Sequence, residues 1–168
     1  MFIIFMGVSG CGKTTIGKKI AEAFGVPYYE GDAYHPPENV DKMSSGVPLT
    51  DEDRRGWLEV LAELIRDKLD AGESGVLASS ALKENYRQQL RVAPDLVRFV
   101  YLKGDYETIH ARIQGRTGHY MPPGLLKSQF EALEEPDDAF TININQSVDS
   151  ILGEVMGYLR SIGFAALL

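Results

Sequence analysis

The chain has 168 residues, of which 44% are hydrophobic and 24% charged, a composition typical of one soluble globular domain with a sizeable core. Its formal charge of −7 argues against a general nucleic-acid or anionic-membrane surface, which requires a basic field. The apolar run over 2–6 is too short to span a bilayer and lacks a charged flank, so we expect no membrane association and no signal peptide. The sole cysteine, Cys11, excludes an intramolecular disulfide and suits a cytoplasmic protein.

Strands and helices alternate in the predicted elements along the chain. Short apolar runs predict five strands, over 2–6, 28–30, 76–80, 96–102 and 140–144. Apolar residues at helical spacing predict helices that begin near residues 12, 39, 51, 82, 106, 125 and 148. This order predicts one α/β domain over 1–168, with a five-stranded parallel sheet covered by helices on both faces. Ligands of such sheets bind at the carboxyl ends of the strands.

The clearest motif is Gly-Val-Ser-Gly-Cys-Gly-Lys-Thr over 7–14, between the first strand and the first helix. Gly-x-x-x-x-Gly-Lys-Thr is the phosphate-binding loop pattern: its glycines let backbone N–H groups converge on phosphate oxygens at a helix N-terminus. Lys13 can bridge the β- and γ-phosphates, and the Thr14 hydroxyl can ligate Mg²⁺. The residues expected to contact nucleotide here are Gly7, Ser9, Gly10, Cys11, Gly12, Lys13, Thr14 and Thr15.

Two carboxylates, Glu30 and Asp32, follow the second strand. In many P-loop enzymes an aspartate on the third strand completes the magnesium site, but here that strand ends in Ser79 and Ser80. We therefore expect the anionic partner to come from Glu30 and Asp32. One can hold metal-bound water while the other accepts a proton from the acceptor hydroxyl.

Several polar residues are candidates for binding an anionic, hydroxylated acceptor. His35 can donate a hydrogen bond to such a substrate. Asp53 is expected to have a structural role, as the third member of a capping box with Thr50. Arg54 lies on the first turn of the same helix, where a cation opposes the helix dipole, and this misfit favours an anion as its partner.

Two pairs of basic residues are spaced four apart. Lys83 and Arg87 are expected to share one helix face near the phosphate loop and to bind an anion. Arg112 and Arg116 lead into a glycine- and proline-rich segment over about 114–124, which we expect to be a lid. Arginines on a closing lid would offset charge in the transition state and exclude water from the nucleotide.

With these residues in view, the chain resembles the gluconate kinases over nearly its whole length. Beyond the generic phosphate loop, the resemblance rests on these blocks: Glu30-Gly31-Asp32-x-x-His35-Pro36, Lys42-Met43-x-x-Gly46-x-Pro48-Leu49-x-Asp51-x-Asp53-Arg54-x-x-Trp57-Leu58, Ser80-Ala81-Leu82-Lys83-x-x-Tyr86-Arg87, Tyr101-Leu102-Lys103-Gly104, Arg116-x-Gly118-His119 and Gln129-Phe130-Glu131-x-Leu133-Glu134-x-Pro136. The sequence departs from the family at Glu30, where aspartate is typical, and at Cys11, where serine is common.

The resemblance implies a P-loop kinase fold, with a helical substrate-binding insertion over about 36–70. It implies phosphorylation of D-gluconate at its 6-hydroxyl by ATP with Mg²⁺, usually in a homodimer. By analogy with the related shikimate kinases, Asp32 would be the base that contacts the acceptor hydroxyl and Glu30 would lie near the metal.

The residues fit such an acceptor, because a sugar acid needs a cation for its carboxylate and hydrogen-bonding groups for its hydroxyls. The groups that could supply these are His35, Arg54, Lys83 and Arg87. Lys13 and Arg116 would stabilise charge on the transferring phosphoryl group. Two alternatives remain open: a kinase for another small acceptor, such as shikimate or a nucleoside monophosphate, and a nucleotide-binding switch without an acceptor.

Overall fold

The computed structural model describes residues 1–115 and 122–164 and contains one five-stranded sheet. Its strands are β1 (Phe2–Met6), β2 (Tyr28–Glu30), β3 (Gly75–Ala78), β4 (Val97–Lys103) and β5 (Phe140–Asn143). They lie in the order β2-β3-β1-β4-β5, and every neighbouring pair is parallel. The predicted parallel sheet of five strands is therefore confirmed.

Helices connect the strands as predicted. They are α1 (Lys13–Phe24), α2 (Pro37–Ser44), α3 (Asp51–Asp70), α4 (Glu84–Leu90), α5 (Tyr106–Gln114), α6 (Pro123–Ala132) and α7 (Val148–Ser161). A 3₁₀ turn over Gly31–Tyr34 follows β2. The largest departure from the prediction lies after β3, which ends at Ala78, while α4 begins only at Glu84. Ala81, at φ +43°, adopts a left-handed conformation that no helix tolerates, so the chain turns there first.

The core consists of two clusters of buried side chains, one on each face of the sheet, and the central strand β1 contributes to both. Ile3 and Phe5 pack with α1 and α7, while Phe2, Ile4 and Met6 pack with α3 and α4. All five residues of β1 are completely buried. A strand covered on both faces reads as a continuous apolar run rather than an alternating one, as β1 does.

Side-chain caps fix where the helices begin. At the start of α3, Thr50 Oγ1 accepts from the Asp53 amide at 3.2 Å, and the Asp53 carboxylate accepts from the Thr50 amide at 2.8 Å. This reciprocal pair is the predicted capping box and confirms the structural role of Asp53. Asp105 and Ser147 cap α5 and α7 in the same way through one hydrogen bond each.

The Asp53 carboxylate also accepts from Lys42 Nζ, at 2.8 and 3.0 Å. This hydrogen bond and those from Thr50 lower the pKa of Asp53 from 3.8 to about 2. Because the folded state depresses this pKa, the group stabilises the fold fully above the unfolded-state value and loses that effect as the pH falls towards about 2.

We predict that Asp53→Asn lowers the free energy of unfolding at pH 7, and that its difference from the wild type shrinks as the pH falls from about 4 to about 2. Urea unfolding at a series of pH values measures this difference. Asp67→Asn, which removes an exposed carboxylate from the same helix, is the matched control and should show no such trend. Parallel pH profiles for the wild type and Asp53→Asn would contradict the assignment.

Candidate active site

The phosphate loop joins the carboxyl end of β1 to the N-terminus of α1. Gly7, Gly10 and Gly12 have φ values of +140°, +83° and +107°, which L side chains rarely adopt. A Cβ added at Gly10 would lie 2.8 Å from the Ile113 side chain on α5, so this position has neither the dihedral nor the room for another residue. The loop thus has the backbone that the motif predicts, with α5 packed against it.

The side chains of the loop face in different directions. Lys13 Nζ donates to the carbonyls of Gly7 and Val8, at 2.9 and 3.0 Å, so the ammonium group lies over the loop. The Cys11 side chain is buried in the core, so its expected contact with nucleotide is restricted to its backbone. Thr15 is exposed on α1.

The Glu30 carboxylate lies beside Thr14 at the start of α1. Glu30 Oε2 accepts from Thr14 Oγ1 at 2.8 Å and from the Tyr28 hydroxyl at 2.6 Å. Burial, together with the Glu30 carboxylate, raises the pKa of Tyr28, which therefore stays a donor to Glu30. Directly after β3, Ser79 and Ser80 carry hydroxyls rather than carboxylates, and Ser79 Oγ is buried with no hydrogen-bond partner in the described parts of the chain.

These oxygen donors fit a magnesium ion of the kind found in phosphoryl-transfer enzymes. Mg²⁺ binds one or two protein oxygens and takes its remaining ligands from phosphates and water. Thr14 and Glu30 would supply the protein ligands. Over 1–115 and 122–164 there is no group of three or more histidine, cysteine or acidic side chains able to hold a metal by itself.

A cavity of about 340 Å³ faces the phosphate loop. Its polar lining comes from distant parts of the chain: Ser9, Lys13, Asp32, His35, Ser44, Arg54, Ser80 and Gln129. The structure therefore brings together Lys13, Asp32, His35 and Arg54, four of the residues predicted to act on phosphate and acceptor. The Asp32 side chain is 71% exposed, so its carboxylate is accessible from the cavity.

The position of Asp32 depends on Gly31. The 3₁₀ turn lies so close to β3 that a Cβ at Gly31 would be 2.4 Å from the Ala78 carbonyl oxygen. On its other side, the Gly31 carbonyl accepts from Trp57 Nε1 at 2.8 Å. The turn is therefore held between β3 and α3, and Asp32 follows directly from it.

His35 is neutral and directed at Asp32. Its ring stacks on Trp57 with centroids 4.2 Å apart, and burial lowers its pKa. The buried Asn39 donates from Nδ2 to the Asp53 carbonyl at 2.8 Å, and the same nitrogen lies 3.2 Å from His35 Nδ1. Nδ1 must then accept, so Nε2 carries the proton, and it lies 3.9 Å from Asp32 Oδ1.

A second cavity of about 340 Å³ adjoins the first, with Arg54 and Gln129 lining both. Lys83 lines only the second, where its Nζ donates to Asp51 Oδ1 at 2.8 Å. The Tyr86 hydroxyl donates to the same oxygen. The hydrogen bonds from Lys83 and Tyr86 lower the pKa of Asp51, and the bond to Asp51 raises that of Lys83, so both groups are charged near neutral pH.

Arg87 does not share a face with Lys83, and that prediction is wrong. The Arg87 side chain is 1% exposed, whereas that of Lys83 is 29% exposed. The Arg87 guanidinium donates to the carbonyls of Ala81 and Leu82, at 2.9 and 3.1 Å, and pairs with Glu84. The Leu82 carbonyl also accepts from the Glu134 amide at 2.8 Å, whereas Arg87 is the partner found for the Ala81 carbonyl within the described residues. The Arg87 guanidinium is therefore buried and paired within the protein.

Arg112 is on α5 and does not line either cavity. Its Nη2 donates to the Ile144 carbonyl at 2.6 Å, next to the loop that follows β5. Arg116 and most of the predicted lid over about 114–124 lie outside the described residues.

Sequence reasoning assigned no individual role to Asn39, Asp51 or Gln129. Asn39 and Asp51 act through other side chains, and an isolated polar residue on a helix gives no signal for such contacts. Gln129 Oε1 accepts from the Ser9 amide of the phosphate loop at 2.7 Å, a contact between residues 120 apart that no local pattern predicts.

The fold and site define a P-loop protein of the small-molecule kinase class, with a polar cavity facing the phosphate loop. None of the helices described is long and apolar enough to cross a membrane.

Comparison with known proteins agrees with this class. Residues 9–143 match the shikimate kinase family. The chain is 49% identical to the thermosensitive gluconokinase of Escherichia coli K12 over 152 residues, covering 88% of this chain and 81% of the relative. It is 42% identical to the gluconokinase of Gluconobacter oxydans 621H, covering 95% and 92%. A crystal structure of a gluconokinase from Sinorhizobium meliloti 1021 is 44% identical and superposes with a TM-score of 0.87, covering 95% of this chain and 91% of that one. The chain belongs to the gluconokinase family.

Proposed function

We propose that the protein transfers the terminal phosphoryl group of ATP to the 6-hydroxyl of D-gluconate, giving 6-phosphogluconate and ADP. The observation that carries this proposal is the first cavity, in which Lys13 of the phosphate loop and the accessible carboxylate of Asp32 line the same space as Arg54. Relatives named gluconokinase, at 42–49% identity, support gluconate as the acceptor.

In the reaction the acceptor oxygen attacks the γ-phosphorus, and the bond from that phosphorus to the bridging oxygen of ADP breaks. Asp32 accepts the proton of the acceptor hydroxyl, and His35 Nε2–H, which faces Asp32, helps to orient its carboxylate. Lys13 and the loop amides stabilise negative charge on the phosphates. Magnesium, held through Thr14 and Glu30, would supply further charge neutralisation.

Arg54 is the cation best placed for the gluconate carboxylate, since it lines both cavities. Its Nη1 donates to the Leu49 carbonyl at 2.5 Å, which fixes the guanidinium against the edge of the insertion over 36–70. Lys83 reaches the acceptor only from the second cavity and with its charge already paired to Asp51. We therefore assign the principal role to Arg54 and a supporting one to Lys83, and none to Arg87.

The remaining features of the proposal follow from the family resemblance. The chain acts as one domain with its substrate-binding insertion over about 36–70, and Arg112 and Arg116 contact the nucleotide as a lid over about 114–124 closes. The enzyme works as a cytoplasmic homodimer.

A coupled assay of ADP release with ATP, Mg²⁺ and a panel of acceptors tests the function. We predict that gluconate stimulates ADP release far above the rate without acceptor, and that shikimate and AMP do not. Faster ADP release with shikimate or AMP than with gluconate would contradict the proposed acceptor. A slow release that no acceptor stimulates would identify a nucleotide-dependent switch instead.

Replacing Asp32 tests the base. We predict that Asp32→Asn lowers kcat about 10²- to 10⁴-fold, because proton transfer to a positioned base contributes about that factor. Affinity for ATP, measured by calorimetry, should be unchanged. Asp41→Asn, which alters an exposed carboxylate on α2, is the control. Turnover of Asp32→Asn equal to that of the control would remove Asp32 as the base.

Neighbouring arginines on α3 offer a matched test of acceptor binding. We predict that Arg54→Gln raises KM for gluconate about 10- to 100-fold, which corresponds to about 1.4–2.7 kcal/mol of lost binding to a charged partner. Arg55→Gln, whose side chain is 65% exposed and pairs with Glu52, should leave KM unchanged. Thermal melting of both variants separates a loss of binding from a loss of folding. Equal KM values for the two variants would argue against a role of Arg54 in the acceptor site.

A further inference from the structure

Gln129 is a polar residue of the first cavity to which the proposed function assigns no role. We propose that it positions the transferring phosphoryl group: its side-chain oxygen is anchored on the phosphate loop, and its side-chain NH₂ donates a hydrogen bond to an oxygen of that group. The inference rests on the proposed function and adds a residue to that site.

The anchor is the hydrogen bond from the Ser9 amide to Gln129 Oε1, at 2.7 Å. A backbone N–H group can only donate, so the side-chain atom that faces it must be the amide oxygen. Nε2 is then the other arm of the carboxamide and has no hydrogen-bond partner within residues 1–115 and 122–164. The orientation of the amide is thus determined by the loop.

Gln129 lies at the meeting point of the two cavities. Gln129 lines the first cavity together with Ser9, Lys13 and Asp32, and it also lines the neighbouring cavity. It therefore lies where the phosphate loop meets the space for the acceptor. From this position, the side-chain NH₂ group of Gln129 can reach an oxygen of the phosphoryl group while that group is transferred from ATP to the acceptor.

The support behind Gln129 is firm enough for a positioning role. It lies on α6, which is fixed to the core by Leu126, 1% exposed, and by Phe130, whose ring packs edge-on against Tyr106 at 5.6 Å. The transition state spreads charge over three equatorial oxygens of the phosphoryl group. A donor held in place before the reaction stabilises that charge without having to be ordered during it.

The competing interpretation is that Gln129 only connects α6 to the loop. The two differ for Gln129→Glu, which keeps an oxygen for the Ser9 amide but replaces the NH₂ donor by a second oxygen. A connecting role predicts that Gln129→Glu keeps the kcat of the wild type at saturating ATP, since repulsion between its carboxylate and the phosphates raises only KM for ATP, and that kcat falls only for Gln129→Leu. A positioning role predicts that both variants lose turnover.

The experiment measures kcat, KM and thermal melting for both variants with ATP and gluconate. We expect kcat to fall about 100-fold in each, the usual effect of removing one donor to a transition state, with KM for gluconate changed little. Melting should be unchanged for Gln129→Glu. Lys127→Gln, which alters a 73% exposed side chain on the same helix, is the control and should match the wild type.

A pH series at saturating ATP adds a second readout, because relief of charge repulsion alone would change KM for ATP and not kcat. In the Gln129→Glu variant, protonation of the introduced carboxylate restores an O–H donor where the NH₂ group was, so the ratio of its kcat to that of the wild type should rise as the pH falls from about 8 to about 5. The ratio for Lys127→Gln should stay flat, which corrects for titration of the rest of the site.

The inference is overturned by a kcat of Gln129→Glu within about threefold of the wild type, or by a ratio that does not rise at low pH. Failure of the proposed function is distinguished by the wild type: if it does not phosphorylate gluconate, the acceptor is wrong. The Gln129 variants are then compared in ATP hydrolysis with water as the acceptor, where the same fall and the same pH trend are expected and their absence counts against the inference.

Discussion

The convergence of backbone amides in the phosphate loop is the constraint on which the rest of the structure depends. The loop needs three residues with positive φ, a strand that holds its first residue in place and a helix that begins directly after it. Burial on both faces holds β1 in place, and side chains of α5 pack against the loop at Gly10. Amides arranged in this way bind phosphate whatever the acceptor, so the loop defines the class of the enzyme and leaves its substrate open.

The acceptor side of the site is built from a different kind of interaction. A chain of neutral hydrogen bonds runs from the Asp53 carbonyl through Asn39 to His35 and ends facing Asp32. Because His35 is buried and its pKa is lowered, the residue next to Asp32, the proposed base, carries no charge. Arg54 lines both cavities, whereas Lys83 lines only the second. Under the proposed function, this arrangement suits an acceptor whose hydroxyl reacts in the first cavity while its carboxylate is bound by Arg54.

Much of the fold could be predicted from the sequence, because it depends on local rules. The phosphate loop, the capping box of Thr50 and Asp53 and the apolar periodicity of α3 each lie within a short stretch of chain. The prediction for Arg87 failed because spacing gives the face of a helix but not what covers that face. Here the left-handed turn at Ala81 leaves its carbonyl to be satisfied by the buried Arg87 guanidinium. The contact between Ser9 and Gln129 could not be predicted either, since it depends on how α6 packs across the loop.

The central claim is that the phosphate loop and Asp32 act on one acceptor oxygen from opposite sides of the first cavity. A crystal structure with gluconate, magnesium and a non-hydrolysable ATP analogue measures this directly. The account predicts that the gluconate 6-hydroxyl lies about 3–3.5 Å from the γ-phosphorus and within hydrogen-bonding distance of the Asp32 carboxylate. Gluconate bound away from the γ-phosphate, or with its 6-hydroxyl out of reach of Asp32, would contradict it.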